Sequence, residues 1–222
     1  MTDNLARRLF AETLGAALLA GTVISSGILA VRLADGNEAV ALLGNTLATA
    51  AMLYVLIQAL GPISGAHFNP AVSLVMALRG EIGWLAALAY APAQVIGCVA
   101  GAMLAHGMFE LPLLQEATTI RAGPAQIFSE AVATFALVFA ILGVSRWRPE
   151  AAPVAVALVI TAGYWWTAST SFANPAITVA RSFSDTFAGI RPADVAGFVA
   201  GQFAGALAAW VCGMMLFGKA RA

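Results

Sequence analysis

Cysteine, histidine and charge are scarce in this chain of 222 residues. Its two cysteines, Cys98 and Cys212, both fall in apolar stretches, which argues against a disulfide framework and points to core packing. With two histidines, His67 and His106, and no clustered acids, there is neither a metal-ligand set nor a nucleophile paired with a base. An enzyme and a bound cofactor are therefore not expected. Eleven basic residues balance eleven acidic ones, and a net charge of zero removes the electrostatic motive for binding nucleic acid. Only 10% of residues are charged against 61% hydrophobic, and the mean hydropathy is +0.87. That composition excludes a soluble domain and places the chain among membrane proteins.

Long apolar runs take the place of charge. Residues 9–31, 40–60, 84–105, 127–144 and 198–217 each approach or exceed the ~20 residues a helix needs to cross a bilayer. A sixth run, 154–169, is shorter and contains the pair Trp165-Trp166, an interfacial aromatic signal. Six spans are expected. The first run is long, carries Glu12 and lacks an evident small-residue cleavage site, so it reads as a span and not as a cleavable signal.

One tripeptide occurs twice within this apolar chain: Asn69-Pro70-Ala71 and Asn174-Pro175-Ala176. Asn is a preferred helix cap, and Pro is tolerated at the first helical position because its missing N–H has no intrahelical partner there. Each tripeptide therefore starts a helix, but the apolar segments that follow, 70–78 and 175–183, are about half a span long. Half-helices at membrane depth are tolerated only where they are buried in protein or line a watery cavity, so both are expected to be re-entrant segments beside a pathway.

The rest of the chain repeats around them. Glu12 in Ala11-Glu12-Thr13 recurs as Glu130 in Ser129-Glu130-Ala131, and Gln94-Val95-Ile96-Gly97 recurs as Gln202-Phe203-Ala204-Gly205. Each half runs in the order glutamate helix, second helix, Asn-Pro-Ala half-helix, glutamine helix. Three spans per half is an odd number, so the second half enters the membrane from the opposite face. The expected architecture is all-α: one channel domain over residues 1–222, six transmembrane helices and two half-helices, with inverted repeats at about 5–108 and 124–218. The Gly97-x-x-x-Gly101 and Gly201-x-x-x-Gly205 spacings read as close helix contacts.

Basic residues set the orientation. With both termini cytoplasmic, the inner face carries Arg7, Arg8, Arg79, Arg146, Arg148, Lys219 and Arg221, and the outer face Arg32, Arg121, Arg181 and Arg191. The inner excess favours that arrangement.

On the two Asn-Pro-Ala boxes, the Gly65-Ala66-His67 lead-in and the paired glutamates, the chain resembles the major intrinsic proteins, the aquaporin and aquaglyceroporin family. The resemblance covers nearly the whole chain from Glu12 onward. It implies the aquaporin fold, a homotetramer in membrane lipid with one pore per subunit, and small neutral solutes as the only partners. Asn69 and Asn174 would offer amide N–H groups to the solute. Carbonyls of Gly65, Ala66 and His67, and of Thr170, Ser171 and Phe172, would form an acceptor ladder. Glu12 and Glu130 would hold loop amides, a structural role preferred here over a proton relay. His67, the one candidate pH gate, is read as a carbonyl donor instead.

The selectivity filter departs from the family. Most members carry arginine three residues after the second Asn, where this chain has Ile177. The other filter positions transfer to Thr49, twenty residues before Asn69, and Ser171, three before Asn174. The fourth falls on Ala162 when counted from Asn174, or on Tyr164 when anchored on Ala152-Pro153. Losing the guanidinium removes five fixed donors and a permanent charge, so the filter is expected to be wide. Arg181, four residues past Ile177 on the same face, is expected to place its charge in the outer vestibule, or else to pair with Asp185. The chain resembles bacterial channels associated with arsenic resistance, which implies an inner-membrane location and neutral metalloid hydroxides, chiefly arsenous acid, beside glycerol-like polyols. A water-selective pore and a secondary transporter of a small neutral solute are the alternatives.

Overall fold

The computed structural model describes residues 4–218 and is all-helical over them. Eight α-helices follow one another: α1 Leu5–Leu33, α2 Glu38–Ser64, α3 Pro70–Leu78, α4 Trp84–Met108, α5 Pro124–Trp147, α6 Ala152–Trp166, α7 Pro175–Arg181 and α8 Pro192–Phe217. Five of these, α1, α2, α4, α5 and α8, are long and apolar enough to cross a membrane. They outrun the apolar cores seen in the sequence because polar and proline ends also join the helices. Asn4 and Asn37 cap α1 and α2 through their side chains, and prolines occupy the first turns of α5 and α8, where proline fits without cost.

The sixth span is α6, which stops at Trp166 and not at Ser169. It has 15 residues and is preceded by a 3-10 turn, Pro149–Ala151. Together they reach about 28 Å, close to the thickness of the hydrocarbon core. Helices α3 and α7, of 9 and 7 residues, are about 14 and 10 Å long, and α7 ends two residues before the expected Phe183. Six spans and two half-helices complete the aquaporin architecture. Lys219 and Arg221, counted toward the inner-face charge, lie outside the described residues.

Close helix contacts organise the bundle. Helix α1 packs most extensively on α4, and α5 on α8. A Cβ at Gly97 or Gly101 would come within 2.3 or 2.2 Å of the carbonyl oxygens of Thr13 and Ala17, and at Gly201 or Gly205 within 2.5 or 2.0 Å of those of Ile127 and Ala131. Only glycine permits this approach, and the paired glycines one turn apart keep the two helices of each pair in contact along a face.

Candidate functional site

Two loops precede the half-helices, and their backbones match residue for residue. Counting back from each Asn, positions four, three and one have positive φ: Gly65, Ala66 and Phe68 in one loop, Thr170, Ser171 and Ala173 in the other. Five of the six are not glycine, and each such residue in the left-handed region costs roughly 1–2 kcal/mol. The loops hold that shape because buried acceptors capture their amides. Glu12 accepts from His67 N (3.0 Å), Phe68 N (2.7 Å), the Ser64 hydroxyl (2.6 Å) and Gln94 Nε2 (2.7 Å). Glu130 accepts from Phe172 N (2.9 Å), Ala173 N (2.8 Å) and Gln202 Nε2 (2.6 Å). Both glutamates are fully buried. Gln94 also donates to Ser73 Oγ, and Gln202 to Thr178 Oγ1, which ties each loop to its own half-helix.

Peptide planarity turns these amide bonds into a statement about carbonyls. In a trans peptide the C=O points opposite to the N–H of the next residue. The amides of Ala66 and Ser171 are held by Ser64 Oγ and Ser169 Oγ, and those of the two following residues in each loop by the glutamates. The carbonyls of Gly65, Ala66, His67, Thr170, Ser171 and Phe172 therefore turn away from those acceptors. A single cavity of about 690 Å³ runs along this side, and Gly65, Ala66, His67, Ser171 and Phe172 lie on its wall. Thr170 does not. It lines an adjoining side pocket of about 360 Å³ together with Arg121 and Arg181.

Asn69 and Asn174 meet on the same wall. Asn69 Oδ1 accepts from Ala71 N, and Asn174 Oδ1 from Ala176 N and Ile177 N, so both cap their own half-helices; Pro70, Ala71, Pro175 and Ala176 are buried. Each Asn amide then crosses to the other loop: Asn69 Nδ2 donates to the Ala173 carbonyl (2.7 Å) and Asn174 Nδ2 to that of Phe68 (2.8 Å). A carboxamide nitrogen carries two hydrogens, which leaves one N–H on each Asn.

Thr49, Tyr164, Ser171 and Ile177 share the cavity wall. Ala162 is exposed on α6, whereas Tyr164 is buried and lines the cavity. Thr49 is 3% exposed and its hydroxyl has no partner in the protein. Sequence reasoning missed Gly163: a Cβ there would meet Ser171 Oγ at 2.5 Å, so glycine makes the room that Ser171 occupies.

Arg181 is 4% exposed and lines the cavity. Its guanidinium lies 3.2 Å above the centre of the Phe172 ring, and its Nε donates to the Ala188 carbonyl. It does not pair with Asp185, whose carboxylate accepts from the Thr118 amide and hydroxyl at 2.9 and 2.8 Å. Arg121 was also missed. It stands 4.9 Å from the same ring, donates through Nε to the Gly189 carbonyl at 2.8 Å, and its own amide is held by Asp194. Burial pulls the Arg121 guanidinium below its ordinary value, partly offset by the Glu130 carboxylate. Its bonds reach 48 to 73 residues along the chain, so no local pattern marks it.

His67 turns its ring from the loop toward Ser73, with Nδ1 3.0 Å from that hydroxyl, and stands edge-on to Tyr90. Cys98 is buried against Ala16, Cys212 is half-buried, and neither is on the cavity wall.

The family model for the major intrinsic proteins matches residues 1–164. The chain belongs to the major intrinsic protein family. It is 54% identical over 206 residues to the aquaglyceroporin AqpS of Rhizobium meliloti (strain 1021), covering 93% of this chain and 88% of that one. It is 31% identical over 191 residues to aquaporin NIP1-4 of Oryza sativa subsp. japonica, covering 83% and 69%. The X-ray structure of the aquaglyceroporin from Plasmodium falciparum superimposes with a TM-score of 0.70 over 96% of this chain and 95% of that one; at 21% identity it speaks for the fold alone. As a major intrinsic protein the chain is a multi-pass membrane channel for small neutral solutes, not an enzyme. The matched segment ends before the second Asn-Pro-Ala box, where Ile177 stands.

Proposed function

We propose that this protein is a passive channel for uncharged solutes of glycerol size, neutral metalloid hydroxides such as arsenous acid among them, and that it excludes ions and protons. The observation that carries the reading is the cavity wall itself. Two Asn amides and a series of loop carbonyls face apolar side chains, and the ring of Thr49, Tyr164, Ser171 and Ile177 holds no guanidinium. A triol finds acceptors along the loops and donors at Asn69, Asn174 and the unpartnered Thr49 hydroxyl. Its carbon or arsenic face rests on the apolar side.

Charge exclusion follows from the helix ends. The half-helices α3 and α7 bring their N-termini together at the crossed Asn bonds, and each carries the equivalent of about half a positive charge. A cation or a proton on a water chain meets that field with no carboxylate on the wall beside it: Glu81 at one mouth is the only acidic residue there among the described residues, and Glu12 and Glu130 stand behind the loops with their oxygens taken up by donors. Arg181 adds a positive charge at the Phe172 end, beyond the filter. The matched loops, glutamates and glutamines support inverted repeats of about 5–108 and 124–218. We place both termini on the cytoplasmic side of a bacterial inner membrane and four copies in a homotetramer, each with its own pore.

Stopped-flow light scattering on proteoliposomes tests this with water, glycerol, urea and arsenous acid in parallel. Fast glycerol and arsenous acid entry without proton current is expected. Water flux alone, or a proton conductance of comparable size, would overturn the proposal.

A further inference from the structure

The side pocket of about 360 Å³ meets the main cavity at Arg181, which lines both. Arg181 has an ordinary structural role, since its guanidinium stacks on Phe172 and Nε donates to the Ala188 carbonyl. That role uses one N–H of the five a guanidinium carries. Nη1 and Nη2 have no acceptor in the protein, and neither is sealed off from the cavities that the side chain lines. A side chain only 4% exposed that keeps its paired nitrogens free and open is suited to a ligand oxygen pair, and the planar fork matches a carboxylate.

The rest of the pocket narrows the choice. Arg121 lines it too, 4.9 Å from the same Phe172 ring, but its Nε and terminal nitrogens are taken by the carbonyls of Gly189, Ser169 and Phe187, so it supplies charge and not donors. Exposed Glu38 is the one acidic residue on this wall among the described residues. Two guanidiniums against one carboxylate favour an anion. Asn45, 2% exposed, spends Nδ2 on the Val23 carbonyl (2.7 Å) and the Ser26 hydroxyl (2.9 Å), which leaves Oδ1 without a donor and open to the pocket. A free acceptor on the wall of an anion site favours an anion that brings a hydroxyl of its own. Leu42, Trp165 and Phe187 make the remaining wall apolar, which suits a carbon skeleton better than a phosphate.

We propose that the side pocket binds a small hydroxycarboxylate of the lactate and glycerate class, its carboxylate on the terminal nitrogens of Arg181 and its hydroxyl on Asn45 Oδ1. Binding here does not depend on which neutral solutes pass the filter. With one charge-assisted pair partly offset by Glu38, the dissociation constant should be ~1–10 mM.

Carbon-13 NMR of carboxyl-labelled L-lactate at neutral pH, titrated with the purified protein in a nonionic detergent and referenced to empty micelles, measures binding without any transport. Saturable line broadening is expected. Labelled propionate, which lacks the hydroxyl, should bind about threefold more weakly or worse. Arg181→Gln should abolish the broadening. Glu38 lines the side pocket and not the main cavity, so Glu38→Gln, which removes a like charge, should tighten binding about two- to fivefold if the ligand sits where proposed. No saturable broadening with the parent, or broadening unchanged in Arg181→Gln, overturns the site. Binding that Glu38→Gln leaves unchanged or weakens overturns its placement in the side pocket, and propionate binding as tightly as lactate overturns the part given to Asn45. Should Arg181→Gln fail to fold, the Glu38→Gln and propionate results decide the matter by the same criteria.

Discussion

Replacing Glu130 by Gln removes one acceptor and adds one donor where three donors already converge. If the new NH2 takes the place of Oε1, the Phe172 amide loses its partner; if it takes that of Oε2, the Ala173 amide does, and Gln202 must turn over as well. Either way one fully buried backbone amide is orphaned, which costs about 1–3 kcal/mol. The bonds that survive lose the benefit of a charged acceptor, roughly another 1 kcal/mol each. The sum is about 3–5 kcal/mol, and at about 2–4 °C per kcal/mol for a chain of this length, Tm should fall on the order of 10 °C. Glu12→Gln orphans one loop amide by the same logic, because the Ser64 hydroxyl can reverse and accept. Its loss should be similar. Thermal unfolding of the two purified variants followed by tryptophan fluorescence, together with glycerol flux at a temperature where both remain folded, provides the measurement. If either variant melts within 2 °C of the parent, or if one is far more affected than the other, the loops are not held by matched carboxylates and the reasoning fails.

Four further outcomes are expected. Ile177→Arg should cut glycerol and arsenous acid entry at least tenfold while sparing most water flux, as read by stopped-flow scattering. Mercuric ion should inhibit the parent weakly, because Cys98 and Cys212 are off the cavity wall, whereas Ser171→Cys should be blocked strongly and recover with thiol. Arg181→Ala should admit a sodium leak that Arg181→Lys does not, measured with an ion-sensitive dye; equal leaks in both would assign Arg181 to holding the Phe172 and Ala188 loops. The Asp185 carboxylate lies below its ordinary range because the Thr118 amide and hydroxyl donate to it. Its tie is therefore present above the normal aspartate pKa of ~3.9 and is lost as pH falls through the lowered value, so Thr118 amide exchange should gain protection as pH rises through that window, after correction for intrinsic exchange.

Much of the fold was legible because it follows from local chemistry. The Asn-Pro dipeptides place the starts of α3 and α7 at Pro70 and Pro175, and the length of the apolar runs locates the spans. The ends were less legible. Hydropathy fades before the helix does, so α8 begins at Pro192 and not near Phe198, and α6 depends on a 3-10 turn for its reach. In the site, Thr49, Ser171 and Ile177, picked out by their offsets from the two boxes, all line the one cavity. Tyr164 could be separated from Ala162 only by seeing which side of α6 faces inward. Arg121 and the burial of Arg181 were out of reach of the sequence, since both depend on carbonyls of the loop after α7 that no spacing rule connects to them.

The crossed bonds between Asn69 and Ala173, and between Asn174 and Phe68, join residues 104 and 106 positions apart. The first half of the chain thus leaves the ribosome with an amide and a carbonyl at membrane depth whose partners have not yet been made. Its re-entrant loop can take shape against Glu12 early, but it cannot be locked until the second half has inserted from the other side. Biogenesis therefore has a late closing step, when two preformed halves dock and exchange these bonds. A nascent chain stalled before Ala173 would carry the Asn69 amide and the Phe68 carbonyl without these partners.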